Sequence, residues 1–121
     1  MRIKPIDCDF SVCKVPDYSK VNFESPFCFI GKTDEENSLV CLAADVPENC
    51  THRDDGWKAF RIDGELDFSL IGILAGISGL MAENGIGIFA VSTYNTDYVF
   101  VKKENHDRAL RILRESGYTI I

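Results

Sequence analysis

The sequence has no C-x-x-C pair, only two histidines, no basic excess and no long apolar run. Lys and Arg total 13 against 19 Asp and Glu, a net charge of −6. A protein that grips a phosphate backbone presents a basic face, so no nucleic acid is expected as a partner. The same balance argues against an anionic membrane surface, and the R-G-F-x-F pattern of an RNA-recognition sheet is missing. The longest uncharged run, Phe68 to Ala82, is 15 residues and contains three glycines. A membrane span needs roughly 20 apolar residues, so this run reads as a buried amphipathic helix. The opening Met1-Arg2-Ile3-Lys4-Pro5 lacks the apolar core of a secretion signal. A cytoplasmic location is expected.

The five cysteines (Cys8, Cys13, Cys28, Cys41 and Cys50) are odd in number and have apolar or strand-like neighbours. They read as reduced thiols packed as small hydrophobes. Only His52 lies near Cys50 and no second ligand pair exists, so no metal is expected. Cys50 and His52 are too close in sequence for a nucleophile and its base, and nothing supplies an oxyanion hole. His106 falls in the first turn of a surface helix. No catalytic residues are assigned. Gly85-Ile86-Gly87 begins like a dinucleotide fingerprint, but it stands between a helix and a strand, whereas phosphate cradling needs strand then helix. No cofactor is expected.

What is present is a regular alternation of elements. With 121 residues the chain makes one compact domain, or two small modules sharing a core. Strands are expected at 9–15, 27–32, 38–44, 57–63, 87–93, 98–102 and 118–121. A helix capped by Asp67 or Ser69 runs to about Asn84 and stops at Gly85; a second, capped by Asn105, ends at Ser116-Gly117. Thr33-Asp34-Glu35-Glu36 has capping-box form and predicts a short helical turn. From Trp57 the order is β-α-β-β-α-β, the ferredoxin-like pattern of an antiparallel four-stranded sheet with two helices on one face. A shift of 60 places Phe29 on Phe89, Thr33 on Thr93, Asn37 on Asp97, Leu39 on Val99 and Val40 on Phe100. The first half thus reads as a shortened duplicate without room for the long helix.

Two polar clusters carry the candidate chemistry. Asp67-Phe68-Ser69 opens the long helix, whose amides attract a carboxylate. Ser92-Thr93-Tyr94-Asn95-Thr96-Asp97 is a dense run of hydroxyls, amide and carboxylate. An α-amino acid needs donors for its carboxylate and acceptors for its ammonium, which these clusters supply if they converge. Otherwise Asp67 caps its helix and Asn95 to Asp97 make a hairpin turn. Gly72, Gly76 and Gly79 share a helix face, for tight packing on the sheet or for a helix–helix contact between modules or subunits. Arg108, Arg111 and Arg114 make a row on the last helix that is solvated or holds an acidic partner.

Leu66-Asp67-Phe68-Ser69-Leu70-Ile71-Gly72-Ile73-Leu74, and Gly85 to Tyr98 with its S-T-Y-N-T-D run, resemble the ACT regulatory domains. The resemblance is nearest to the small standalone branch with tandem ACT-like modules, similar to aspartokinase regulatory regions and the cytosolic arginine sensor. Phe29 to Thr33, Glu36 to Val40 and Gly56 to Phe60 fit the same branch. The resemblance implies an α+β fold: a C-terminal ferredoxin-like βαββαβ ACT module at 56–121, preceded by a truncated ACT-like module at 1–55 that lacks its first helix. It implies a ligand, usually an amino acid, bound where modules or subunits meet. The site would use Leu66, Asp67, Phe68 and Ser69 on one side and Ile88, Phe89, Ser92, Thr93 and Asp97 on the other. It further implies a non-enzymatic regulatory protein that forms a homodimer. The alternative is a protein–protein adaptor with the same fold that has lost its ligand.

Overall fold

The computed structural model describes residues 1–64 and 72–121. Along the chain run β1 (Arg2–Lys14), β2 (Cys28–Lys32), β3 (Asn37–Leu42), a 3₁₀ turn (Ala43–Asp45) and β4 (His52–Ile62). Then follow α1 (Ile73–Glu83), β5 (Ile88–Ser92), β6 (Asp97–Lys102), α2 (Lys103–Glu115) and β7 (Thr119–Ile120). Two compact units result: Cys8–Trp57, and Met1–Asp7 together with Lys58–Ile121. The long strands β1 and β4 contribute residues to both. Among the described residues no helix is long and apolar enough to cross a membrane.

In the Cys8–Trp57 unit the strands pair in the order β2-β3-β1-β4. β1 starts at Arg2 rather than Asp9, and β4 at His52 rather than Trp57. Pro5 and the exposed His52-Arg53-Asp54-Asp55 argue against a strand locally; long-range pairing overrides them. Ser11, buried within β1, donates its hydroxyl proton to Asp55, which also receives Arg53. The turn after β2 is not helical. Thr33 Oγ1 does accept from the Glu36 amide (3.2 Å), but the Thr33 amide bonds the Glu36 carbonyl (2.9 Å) and closes a hairpin. Among the described residues this unit has no α-helix. Its core is Cys13, Leu39 and Cys41, with Val21, Cys28, Val46 and Cys50 packed against it.

In the other unit the pairing order is β7-β1-β4-β6-β5. The four strands of the ferredoxin-like pattern are β4, β5, β6 and β7, and the start of β1 is an addition to them. β7 runs parallel to β1, with Arg2 opposite Thr119 and Ile3 opposite Ile120. Val99 and Val101 of β6, two apart, face the same way. Both helices bury against that face: Ile77 and Met81 of α1, and Ala109, Ile112 and Leu113 of α2, join Ile3, Phe60 and Ile62 in one core. Each helix ends in the same hydrogen-bonded motif. Ile86 N–H bonds Met81 O (2.9 Å) and Tyr118 N–H bonds Leu113 O (3.0 Å), which needs a left-handed residue at Gly85 (φ 68°) and at Gly117. α2 begins at Lys103, with no side-chain cap; Asn105 instead accepts from Arg108 (3.5 Å).

The shift of 60 holds for whole elements. β2 maps onto β5 and β3 onto β6, end for end. β3 and β6 share one burial pattern, half-buried at the ends and buried in the middle. The 3₁₀ turn at Ala43–Asp45 falls on the first turn of α2, and the residues before them, Leu42 and Lys102, have φ,ψ of −59°,141° and −60°,142°. Pro47 follows at once. Its missing N–H and its steric demand on Val46 stop the helix after a single turn.

His106 is not solvent-facing. Its ring is half-buried and hydrogen-bonded to the Ala59 backbone, and its Nε2 is buried with no partner among the described residues. Burial holds its pKa below the ordinary histidine value, against the Ala59 bond and Asp107, with Lys58 acting in the same sense as burial and Asp7 against it. The folded protein therefore binds this proton less readily than the unfolded chain does. Stability is full above about pH 6.5, the unfolded value, and is lost as pH falls toward the folded one. Urea midpoints should decline between pH 7 and pH 5, and His106→Leu should flatten that decline.

Candidate functional site

Alternation along β5 and β6 decides which candidates can meet. Ser92 stands opposite Asp97, and Phe89 opposite Phe100. Ile88 and Ser92 share the helix-bearing face with Asp97, Val99 and Val101. Ile88 packs against the core there. Phe89 points to the opposite face, stacked on Phe100 at 4.5 Å with planes 4° apart. Their side chains therefore do not line one pocket together. Ser92 Oγ donates to Asp97 Oδ1, so hydroxyl and carboxylate form one polar end to the hairpin. A carboxylate retains capacity for further donors.

Thr93 is consumed by the turn itself. Its amide bonds the Thr96 carbonyl (2.8 Å), and so does its hydroxyl (2.9 Å). Thr96, which is buried, donates its hydroxyl to the Ile62 carbonyl (2.8 Å). That bond ties the hairpin tip to the end of β4, just before residues 65–71. Nothing in the sequence distinguishes Thr96 from its polar neighbours as the pin. Leu66, Asp67, Phe68 and Ser69 lie outside the described residues.

α1 starts later than the sequence predicts. Its N-cap is Gly72, left-handed at φ 81°, with no side-chain hydrogen bond and no acidic residue in the first turn. Neither Asp67 nor Ser69 is the N-cap. The first intrahelical bond runs from Gly76 N–H to Gly72 O (2.9 Å), so the amides of Ile73, Leu74 and Ala75 have no partner within the helix. Beside this helix end is a cleft of about 310 Å³, lined by Met1, Gly72, Ile73, Ser116, Gly117 and Tyr118. Ile88, Phe89, Ser92, Thr93 and Asp97 are not among its lining residues.

The glycine face of α1 is not packed on the sheet. Gly72, Gly76 and Gly79 are exposed, whereas Ile77 and Met81 point inward. A Cβ at Gly76 would stand 3.4 Å from the Tyr118 hydroxyl; one at Gly79 would meet nothing within 4 Å. Arg108 of the arginine row donates to the Asn84 carbonyl (2.8 Å). Among the described residues no group of three His, Cys, Asp or Glu side chains is placed to hold a metal ion.

A family model described as ACT domain matches residues 52–115. The crystal structure of protein Atu0741 from Agrobacterium tumefaciens is 26% identical, with a TM-score of 0.84, over 99% of this chain and 91% of its own. A structure of aspartokinase alpha and beta subunits is similar at 17% identity and a TM-score of 0.66, over 95% of this chain and 96% of that one. The ligand-free regulatory subunit of aspartate kinase from Thermus thermophilus is similar at 12% identity and a TM-score of 0.59, over 92% and 95%. These last two likenesses concern the fold. Curated proteins give no match.

Four substitutions test the local physics. Thr96→Val should cost about 1–3 kcal/mol, because the Ile62 carbonyl is left buried without its donor; Thr96→Ser should recover most of it, read from denaturant midpoints. Gly79→Ala should stabilise by about 1 kcal/mol, while Gly72→Ala should destabilise by about 1–2 kcal/mol at its left-handed φ. Thermal unfolding of the pair shows the opposite signs.

Proposed function

The chain belongs to the ACT domain family, and on that footing we propose that it is a non-enzymatic regulatory protein that binds an amino acid and works as a homodimer. The ligand ammonium sits at the Ser92–Asp97 end of the β5–β6 hairpin. Its carboxylate is held by the stretch before α1 that contains Leu66, Asp67, Phe68 and Ser69, with Ile88, Phe89 and Thr93 shaping the neighbouring strand and turn. The site lies where modules or subunits meet. Occupancy regulates by differential affinity: a ligand that binds one arrangement better raises its population.

The observation that carries this reading is the asymmetry between the two hairpins. They match in length, register and the threonine that closes the turn, yet only one has a hydroxyl opposite a carboxylate, Ser92 and Asp97, as its last strand pair. At the equivalent positions the other has Lys32 opposite Asn37, and the Asn37 amide is already used on the Pro16 carbonyl (2.9 Å). A carboxylate at the last strand pair of one hairpin, next to the exit of β4, is a place for an ammonium.

Calorimetric titration of the whole chain with each of the twenty amino acids tests the proposal. Heat is expected with one or a few. Asp97→Asn should then weaken binding at least tenfold, since a hydrogen bond to a charged group is worth about 1.5–3 kcal/mol. No heat with any amino acid removes the sensing role and leaves the adaptor reading.

A further inference from the structure

Four of the five cysteines meet in one place. Cys13 and Cys41 lie in the small core of the Cys8–Trp57 unit, Cys28 and Cys50 pack against it, and all are free thiols. We propose that Cys28 and Cys41 are a latent disulfide pair, a modification site through which a small disulfide locks the edge strand β2 to β3.

The register selects this pair. Cys28 stands directly opposite Cys41 across β2 and β3. The bond from Thr33 N–H to Glu36 O (2.9 Å) makes residues 33 and 36 a hydrogen-bonded pair. Hydrogen-bonded and non-hydrogen-bonded pairs alternate along an antiparallel ladder, so Cys28 and Cys41 form a non-hydrogen-bonded pair. The other side of β3 gives the same answer. Val15 N–H bonds Asn37 O (3.0 Å), which makes Ser11 and Cys41 a hydrogen-bonded pair toward β1, leaving Cys41 non-hydrogen-bonded toward β2. Non-hydrogen-bonded partners have Cα atoms about 4.5 Å apart, inside the range of about 4.4–6.8 Å that a disulfide spans.

Cys13 is the obvious rival, because its side chain hydrogen-bonds that of Cys41. Yet Cys13 stands opposite Leu39, and Cys41 opposite Ser11. Cys13 and Cys41 are diagonal neighbours, about 7–8 Å apart, beyond what a disulfide bridges without moving the backbone. Cys13 is thus a hydrogen-bond partner of the reduced Cys41 thiol. Access follows the same division. Cys28 is half-buried, whereas Cys41 is 2% exposed, which makes Cys28 the thiol an external reagent meets first.

The chemistry is thiol–disulfide exchange. The Cys28 thiolate attacks one sulfur of a small disulfide, such as oxidised glutathione. The S–S bond breaks, one glutathione leaves as thiolate and takes a proton from water, and a mixed disulfide stands at Cys28. Cys41 gives its proton to water and attacks the Cys28 sulfur, releasing the second glutathione. Two protein thiols are oxidised by two electrons, and one small disulfide is reduced to two thiols.

The test equilibrates the whole chain in glutathione buffers from fully reduced to fully oxidised, traps remaining thiols with N-ethylmaleimide in denaturant, and maps peptides by mass. Oxidised protein should take two fewer N-ethylmaleimide groups than reduced protein, with Cys28 and Cys41 in the linked peptide. Cys28→Ala should abolish the loss of two thiols; Cys13→Ala should keep it. An unchanged thiol count across the series, a persistent mixed disulfide at Cys28, or a Cys13–Cys41 link would each overturn the proposal.

Discussion

The threonine that closes each hairpin is the constraint from which the rest follows. Thr33 and Thr93 each bond the carbonyl three residues ahead through their amide, and each hydroxyl accepts from the amide of that same residue. This sets the strand register, and in a sheet a slip of one residue turns every side chain to the other face. With the register held, Val99 and Val101 face the helices, Ser92 meets Asp97, and Cys28 meets Cys41. Core, candidate site and thiol pair are three consequences of two short turns.

The two hairpins then meet different fates. After β6 the chain continues into a full helix whose inner residues build a core with α1. After β3 the same start is cut short at Pro47, and loops supply Val21, Val46 and Cys50 to cover the face instead. A core covered by loops is small, and small thiols fill it. Removal from water pushes the Cys41 thiol up to about 12, with Cys13, Asp45 and Cys28 adding in the same sense. Such a thiol is a packing group at rest, and reaches oxidation through a neighbour.

The regulatory reading draws on membership of the ACT domain family. It gains its particular content from Asp97. The matching position in the other hairpin, Asn37, is engaged in holding the chain after β1. In the first hairpin this position holds the chain after β1, and in the second it presents a carboxylate beside the exit of β4. Thr96 keeps that presentation rigid, since its hydroxyl is fastened to the Ile62 carbonyl.

Much of this was written in local residue order. Alternation of β-formers, the Asn84-Gly85 and Ser116-Gly117 stops, and the period of 60 are properties of neighbours along the chain, and they determine the element order, the ferredoxin-like pattern and the duplicate. The tertiary structure alone decided the length of β1 and β4, because Pro5 and a run of four charged or polar residues look unlike strand until partners pair with them. It also decided that α1 starts at Ile73 behind a Gly72 cap, that Phe89 turns away from Ser92, that Thr96 is the pin, and that Cys28 faces Cys41. These depend on which groups meet across the sheet, and a meeting between residues far apart in the chain leaves no mark on either one taken singly.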